Sequence, residues 1–422
     1  MANPRPAVLV ALALCGCKRD DEPRPAPPPV VARDAGAVAT AAAEPTWYRA
    51  IIRAPSGVEA RFFLGVAPGQ AILKVGAHEV HNAATFDRAT LSIPFTVYQT
   101  AVDATAGSDG ALTGAFSTRW RAWGASSLPL AATKVAAPTT SALATAGSDG
   151  APIDLGEPRT IWRLAMSESG VAKVVVTQTA PGDFEGLMFL DTGNLIYLAG
   201  NGRGDALVLT GFDGTSGYRL ELALDGARAR ARGAMTMGHR LDSRETLTAT
   251  RAADFALASK PKGAKPHVKV GLPDLPQLAA LAPGPLVVEI SGSWCSTCRD
   301  AAPVLDQLYR ASRPRGLQMV TLLYELSGDP AADAKQAEAF ARAYAVPWPV
   351  VPVPGTTDDF AAIMPTGVSD LDPSGFPILL FLAADRSLVA IHAGFPAPDA
   401  TAEFARVTAE LRSNVETLLA PP

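Results

Sequence analysis

Residues 286–312 read LVVEISGSWCSTCRDAAPVLDQLYRAS and carry the strongest structural signal in the chain. The first five residues, LVVEI, form a short apolar run of the kind found in a buried strand. After the two cysteines, the apolar residues of 298–312 recur every three or four positions, as on one face of a helix. The stretch therefore predicts a buried strand that leads through Cys295 and Cys298 into a helix.

The four cysteines of the chain fall into two pairs. Cys15 and Cys17 lie in an N-terminal apolar segment, whereas Cys295 and Cys298 form a CxxC motif. A zinc site needs about four ligands, and neither a second CxxC nor a nearby pair of histidines is present. Haem attachment would require histidine at position 299, where the chain has arginine. The motif therefore predicts a redox dithiol, and we expect neither a metal nor a separate cofactor.

The position of the CxxC motif at the start of a helix favours this chemistry. Unpaired N–H groups and the positive end of the helix dipole would surround Cys295 and stabilise its thiolate. Cys298 follows one turn later, where it can attack a mixed disulfide and release the partner. Cys295 is thus the predicted nucleophile and Cys298 the predicted resolving thiol.

Residues 271–420 resemble a thioredoxin fold, specifically the membrane-tethered TlpA/ResA-type redoxins. The resemblance rests on Trp294 with its CxxC, the helix proline Pro303, and Gly375-Phe376-Pro377 followed by ILLFL. It implies that Pro377 is a cis-proline facing the dithiol and that Phe376 pairs with an extended substrate, the alternative being a strand-entry proline. More weakly, residues 191–213 and 391–395 resemble larger TlpA-like proteins that carry an N-terminal β domain.

The same resemblance implies an order of elements after the CxxC helix. We expect strands at 317–326, 376–383 and 387–393, and helices at 331–345 and 401–419.

Two further residues near the motif are candidates for the site. Glu289 lies six residues before Cys295, where thioredoxins place a buried carboxylate that would accept the proton of Cys298; the alternative is a partly exposed strand glutamate. Trp294 would shield the dithiol and shape the substrate surface, or would serve packing alone. Glu325 ends the next strand and is expected to approach the same site, and His392 is expected to be a solvated strand-end residue.

Residues 46–257 have the pattern of an all-β domain, in the form of a sandwich or a barrel. Short runs of β-branched and aromatic residues are separated by Asp-Gly pairs that are typical of hairpin turns. These pairs begin at Asp109, Asp149, Asp213 and Asp225. We expect either one body or two halves that divide near residue 140, and no metal site at His78 and His81. The predicted fold class is multidomain, with an all-β region followed by an α/β thioredoxin fold.

The N-terminus has the features of an export signal. An apolar stretch at 7–14 precedes Leu14-Cys15-Gly16-Cys17, which resembles a bacterial lipoprotein box. We expect a signal peptide at 1–16, a lipid on Cys17 and a Pro/Ala-rich tether through residue 45; the alternative is an ordinary secretory signal. A basic, proline-containing linker is predicted at 258–270.

The length and charge of the chain exclude two further classes of protein. The chain has 422 residues and a formal net charge of −4, which argues against a nucleic-acid binder that uses a basic surface. No apolar run reaches the ~20 residues that span a bilayer, so a polytopic membrane protein is excluded.

These features predict an enzyme, a thiol-disulfide oxidoreductase lipid-anchored in the bacterial envelope on the periplasmic side. Its expected partners are disulfide-containing envelope proteins and a membrane thiol-disulfide reductase that supplies electrons, because the chain has no nucleotide-binding glycine motif. The dipeptide Ser296-Thr297 leaves the direction of electron flow open. A thiol oxidase or isomerase with the same dithiol, and a partner-binding module with a redox-sensing dithiol, are the alternatives.

Overall fold

The computed structural model describes residues 44–420, apart from gaps at residues 88, 121–123, 144, 146–148, 169, 192, 256, 258–266, 354–363, 369–374 and 399. In this part of the chain, two antiparallel β bodies precede a mixed sheet flanked by helices. Cys17, the predicted signal peptide, nearly all of the predicted tether and most of the predicted linker lie outside the described residues. None of the described helices has both the length and the apolar character that a membrane crossing requires.

The first β body is a nine-stranded antiparallel sheet in the order β4-β3-β2-β1-β9-β8-β7-β6-β5. Its strands are β1 (Thr46–Arg53), β2 (Glu59–Ala67), β3 (Gln70–Val75), β4 (His78–Ala83), β5 (Thr85–Asp87), β6 (Thr90–Phe95), β7 (Thr100–Ala106), β8 (Leu112–Thr118) and β9 (Ser126–Val135). Strand β6 shows how the sequence builds this sheet: Leu91, Ile93 and Phe95 are buried, whereas the residues between them are not. This alternation places one face of the sheet on an apolar core.

The second β body is a closed barrel of eight antiparallel strands. Its strands are β10 (Arg159–Met166), β11 (Gly170–Ala180), β12 (Asp183–Leu190), β13 (Leu195–Arg203), β14 (Ala206–Phe212), β15 (Gly217–Leu224), β16 (Arg230–Gly238) and β17 (Ser243–Arg251). Strand β10 pairs with both β11 and β17 and so closes the barrel. Trp162, Phe184 and Met188 belong to its buried core, consistent with an eight-stranded barrel that side chains fill.

Three of the four Asp-Gly pairs form hairpin turns, as predicted. They begin at Asp109 between β7 and β8, at Asp213 between β14 and β15, and at Asp225 between β15 and β16. The prediction is wrong for Asp149-Gly150, which lies in the connection between β9 and β10. Gly150 has a φ of 92°, and a Cβ there would be 2.8 Å from the backbone N of Gly204. This glycine therefore permits a close approach between backbones rather than a hairpin.

The C-terminal sheet has five strands in the order β20-β19-β18-β21-β22. The strands are β18 (Leu286–Ser291), β19 (Gln318–Tyr324), β20 (Val350–Val353), β21 (Ile378–Leu382) and β22 (Leu388–Ala393), and the helices are α1 (Pro276–Ala279), α2 (Ser296–Ser312), α3 (Pro330–Ala343) and α4 (Thr401–Leu419). Strand β18 pairs in parallel with β19 and antiparallel with β21. The sequence did not predict β20, because four residues that include Pro352 give little strand signal; an edge strand tolerates such a proline.

The barrel contacts the C-terminal sheet through two glycines. Gly193 lies in the turn between β12 and β13, and Gly394 follows β22 directly; their φ values are 88° and 75°. A Cβ on Gly394 would be 2.3 Å from the carbonyl carbon of Gly193. Only glycine fits this backbone-to-backbone contact. The N–H of Gly394 also donates to the carbonyls of Gly375 and Pro377, at 2.7 and 2.9 Å. The barrel is thus held directly beside the loop that contains Pro377.

Candidate active site

The two cysteines lie where β18 passes into α2. They form a disulfide, and Cys295 is the N-cap of α2, with its Sγ accepting a hydrogen bond from the N–H of Cys298 at 3.1 Å. Cys295 is 6% exposed and Cys298 is fully buried. The N–H groups at a helix start stabilise negative charge, so the geometry favours a thiolate on Cys295 when the pair is reduced.

Helix α2 places the pair by packing its apolar face into the core. The residues of this face are buried: Ala301, Ala302, Val304, Leu305 and Leu308. Pro303 lies inside the helix, which runs from Ser296 to Ser312. The face packs with Val287 of β18, so the strand before the motif and the helix after it share one core.

The loop that contains Pro377 faces the dithiol. The peptide bond between Phe376 and Pro377 is cis. The carbonyl of Phe376 accepts a hydrogen bond from Oγ1 of Thr297 at 2.9 Å, and this Oγ1 is 3.3 Å from Sγ of Cys295. Thr297, one of the two residues between the cysteines, therefore connects the dithiol to this loop.

Trp294 lies between this loop and the end of β19. Its Nε1 donates a hydrogen bond to the carbonyl of Tyr324 at 2.8 Å, and its ring centroid is 5.2 Å from that of Phe376. The side chain is partly buried against the core cluster that contains both cysteines. Its hydrogen bond fixes the orientation of the indole beside the disulfide.

Glu289 is 1% exposed and lies on β18. Alternation along the strand puts it on the same face as Val287, which packs against α2. Its Oε2 accepts from Oγ1 of Thr321 at 2.5 Å, and Thr321 in turn accepts from Nε1 of Trp348 at 2.8 Å. Among the described residues, Oε1 has no hydrogen-bond partner. Burial raises the pKa of Glu289 to about 7, against the opposing effects of the Thr321 hydrogen bond and of the nearby Ser291 hydroxyl.

Glu325 is a second buried carboxyl beside the motif and is 2% exposed. It accepts hydrogen bonds from the N–H and the Oγ of Ser293, at 2.9 and 2.7 Å. Gln99, in the first β body, donates a third hydrogen bond at 3.1 Å. Burial raises the pKa of Glu325 to about 8. Glu325 therefore ties the loop before Cys295 to the first β body.

The barrel also contacts the motif, which the sequence did not indicate. Oγ of Ser296, the other residue between the cysteines, donates to Oδ2 of Asp213 at 3.0 Å. The only sequence signal at this position was the Asp-Gly turn, which predicted a hairpin but no site.

The side chains of His78, His81 and His392 all make contacts within the protein. The ring of His78 stacks on Tyr197 at 3.8 Å, and Nδ1 of His81 lies 2.8 Å from Nε2 of Gln70. In the described part of the chain, no group of three or more His, Cys, Asp and Glu residues could hold a metal ion. His392 was expected to be solvated and is instead buried, with its Nδ1 2.9 Å from Oε1 of Glu410, because α4 packs over β22.

The strand order and the CxxC at the start of α2 define a thioredoxin-like fold in the C-terminal part of the chain.

No protein-family model and no curated protein matches the chain. Similar solved structures include a secreted Mycobacterium tuberculosis disulfide oxidoreductase homologous to E. coli DsbE, with 18% identity over 33% of this chain and 86% of that chain and a TM-score of 0.23. A putative thiol:disulfide interchange protein DsbE from Chlorobium tepidum has 17% identity, coverages of 38% and 100%, and a TM-score of 0.26. A putative protein disulfide isomerase from Bacteroides thetaiotaomicron has 17% identity, coverages of 37% and 91%, and a TM-score of 0.26. Identities and TM-scores this low carry no conclusion about activity.

Proposed function

We propose that this protein is a thiol-disulfide oxidoreductase of the TlpA/ResA type that reduces protein disulfides in the bacterial envelope. The observation that carries the proposal is the Cys295–Cys298 disulfide at the start of α2, with the Cys298 N–H donating to Cys295 Sγ. This arrangement supplies a stabilised thiolate and a second thiol one turn away, which are the two groups that disulfide exchange requires.

The reaction begins with the reduced dithiol. The Cys295 thiolate attacks one sulfur of a substrate disulfide, so that a Cys295–substrate disulfide forms and the other substrate sulfur leaves as a thiolate. Cys298 then loses its proton and attacks Cys295 Sγ, which releases the second substrate sulfur. The substrate gains two electrons, and the protein is left with the Cys295–Cys298 disulfide that this structure contains.

Glu289 is the proposed acceptor of the Cys298 proton. Its burial, an Oε1 without a hydrogen-bond partner among the described residues, and a pKa of about 7 suit a carboxylate that binds and releases a proton near neutral pH. Its face of β18 packs against α2, the helix that carries Cys298.

The loop opposite the dithiol is the proposed substrate-binding surface. An extended substrate segment would pair with the backbone of Phe376 beside Pro377, and Trp294 would contact it from the other side. The Phe376 carbonyl already accepts from Thr297, but a carbonyl has a second lone pair for a substrate N–H.

The cellular setting of the proposal comes from the N-terminal sequence. A lipid on Cys17 and the Pro/Ala-rich tether would hold the folded part near a membrane on the periplasmic side. The disulfide formed in each cycle must be reduced again, and a membrane thiol-disulfide reductase is the proposed source of the two electrons.

The test uses the full chain with Cys298→Ser and a synthetic peptide that contains one intramolecular disulfide. The serine hydroxyl of this variant cannot resolve the mixed disulfide, and iodoacetamide added after mixing caps the freed peptide thiol so that it cannot attack back. The peptide should therefore remain bound to Cys295 until dithiothreitol is added. Mass spectrometry of the adduct identifies the bonded cysteine.

The matched control is the double variant Cys295→Ser/Cys298→Ser, in which the peptide should form no covalent adduct at position 295 or 298. If the peptide binds equally well to the double variant without a covalent bond, the protein is a binding module and the proposal is wrong.

A further inference from the structure

The turn between β14 and β15 of the barrel reaches the dithiol of the C-terminal domain. Oδ2 of Asp213 accepts a hydrogen bond from Oγ of Ser296 at 3.0 Å, across 83 positions of sequence. Ser296 is the first residue of α2 and lies between the two cysteines. A carboxylate from another part of the chain therefore sits at the helix start where the Cys295 thiolate would form.

The orientation of this carboxylate is set by its own turn. Oδ1 of Asp213 accepts from the N–H and Oγ1 of Thr215, at 2.8 and 2.7 Å, and from the N–H of Ser216 at 2.8 Å. Oδ2 accepts from the hydroxyl of Tyr218 at 2.9 Å as well as from Ser296. With one oxygen held by the turn, the other oxygen points at the helix.

The first β body holds the same turn from the other side. Oγ1 of Thr100 donates to the carbonyl of Gly214 at 2.7 Å, and both Thr100 and Thr215 are buried. The position of Asp213 is therefore supported by both β bodies and is not that of a free surface loop.

The negative charge of Asp213 weakens the positive field of the helix dipole at the start of α2. Its five hydrogen-bond donors are all neutral groups, and no ion pair to Asp213 is found among the residues that the structure describes. A negative charge near a helix N-terminus cancels part of the field that stabilises a second negative charge there. It thus disfavours the thiolate on Cys295.

Other titratable groups lie around this point. His78, Tyr218, Arg299 and Asp300 line the same small cavity as Asp213 and Ser296. Arg299 is paired with Asp300, with Nε 2.9 Å from Oδ1. Burial raises the pKa of Tyr218 and of nearby Tyr98 well above the ordinary tyrosine value, so both stay neutral.

We propose that Asp213 is a positioning residue through which the barrel makes the Cys295–Cys298 dithiol a stronger reductant. By holding Ser296 and placing a negative charge at the start of α2, it destabilises the reduced, thiolate-containing state relative to the disulfide. This inference rests on the proposed thiol-disulfide function, and it assigns the barrel a part in that function.

The test compares the full chain with Asp213→Asn, which keeps the turn-forming Oδ1 and removes the charge. The dithiol is equilibrated with glutathione, where two glutathione thiols become one glutathione disulfide as the Cys295–Cys298 disulfide becomes two thiols. The equilibrium constant for reduction of the disulfide by glutathione should be about threefold to tenfold larger in the variant than in the unchanged protein. A tenfold change corresponds to about 30 mV in the reduction potential. The rate of Cys295 alkylation, measured by peptide mass spectrometry, increases with pH as the thiolate forms. In the variant this increase should occur at a lower pH than in the unchanged protein.

Asp225→Asn is the matched control, since Asp225 begins the next Asp-Gly turn of the barrel and caps it through Ala229 and Arg230. It should leave both measurements unchanged. If Asp213→Asn behaves like the unchanged protein, or if Asp225→Asn shifts both measurements equally, the inference is wrong while the dithiol function stands. If the unchanged protein does not exchange with glutathione at all, the proposed function fails, and the inference fails with it.

Discussion

Replacing Cys295 with serine should abolish catalysed reduction of a disulfide peptide, with a loss of at least about a thousandfold in rate. The hydroxyl of serine cannot form the mixed disulfide, and Cys298 is fully buried and cannot take over the attack on a bulky substrate. The measurement is the rate of peptide reduction with dithiothreitol as the electron source, corrected for the rate without protein.

The control for this prediction is Ser293→Ala, which removes a hydroxyl two residues away that hydrogen-bonds Glu325 but leaves both thiols in place. It should retain measurable turnover. A Cys295→Ser protein that still reduces the peptide at more than about a tenth of the normal rate would contradict the assignment of the nucleophile.

Replacing Glu289 with glutamine should change how the release of the mixed disulfide by Cys298 depends on pH. The rate of this step should no longer follow the ionisation of a group with a pKa of about 7. In the unchanged protein, Glu289 is protonated well below pH 7 and cannot accept the proton of Cys298, so the release of the mixed disulfide should speed up as the pH rises through 7. Glutamine cannot accept the proton, so the step should slow about a hundredfold at pH 8. Rapid-quench trapping of the peptide adduct between pH 5 and pH 9 measures this step.

The same variant should change the pH dependence of stability. The pKa of Glu289 is about 7 in the folded protein against a reference value of 4.5, so the folded state binds the proton more tightly and loses stability as the pH rises from 4.5 through 7. Two and a half pKa units correspond to about 3 kcal/mol. Relative to the unchanged protein, Glu289→Gln should therefore gain about 2.5 kcal/mol in the free energy of unfolding between pH 5 and pH 8, measured in urea.

Glu245→Gln is the control for the resolution measurement, because Glu245 is buried in the barrel, where it accepts from the N–H of Glu168. It should leave the rate of resolution and its pH profile unchanged. If Glu289→Gln resolves the adduct as fast as the unchanged protein at pH 8, Glu289 is not the proton acceptor.

The local features of the C-terminal domain could be predicted because their signals are close together in sequence. The run LVVEI, the CxxC spacing and the helical periodicity of 298–312 indicate β18, the dithiol and α2 without any long-range information. The resemblance to thioredoxins, which place a buried carboxylate six residues before the first cysteine, indicates Glu289, and the structure places this residue in the core. In contrast, β20 lacks both length and periodicity and was not predicted.

The contacts between the β bodies and the dithiol could not be predicted from the sequence. Asp213 and Ser296 are 83 residues apart, and Gln99 and Glu325 are 226 residues apart. Strand patterns indicate which residues face a core but not which turn of a closed barrel meets another domain. His392 was placed in solvent for the same reason, since its burial depends on how α4 packs on β22.

The contact between Gly193 and Gly394 could be predicted only in part. Both glycines lie in stretches whose sequence resembles larger TlpA-like proteins, but nothing in the sequence indicates that they touch. The reason for glycine at both positions is visible only when the two backbones are seen together, with positive φ values on both sides of the contact.

The reduction potential of the Cys295–Cys298 pair tests the central claim most directly. The full chain is equilibrated in glutathione buffers of graded potential, and the state of each cysteine is read by alkylation and peptide mass spectrometry. A reductant of envelope disulfides should have a potential near or below about −250 mV. A value above about −180 mV would identify an oxidant or an isomerase and would contradict the proposed direction of electron flow.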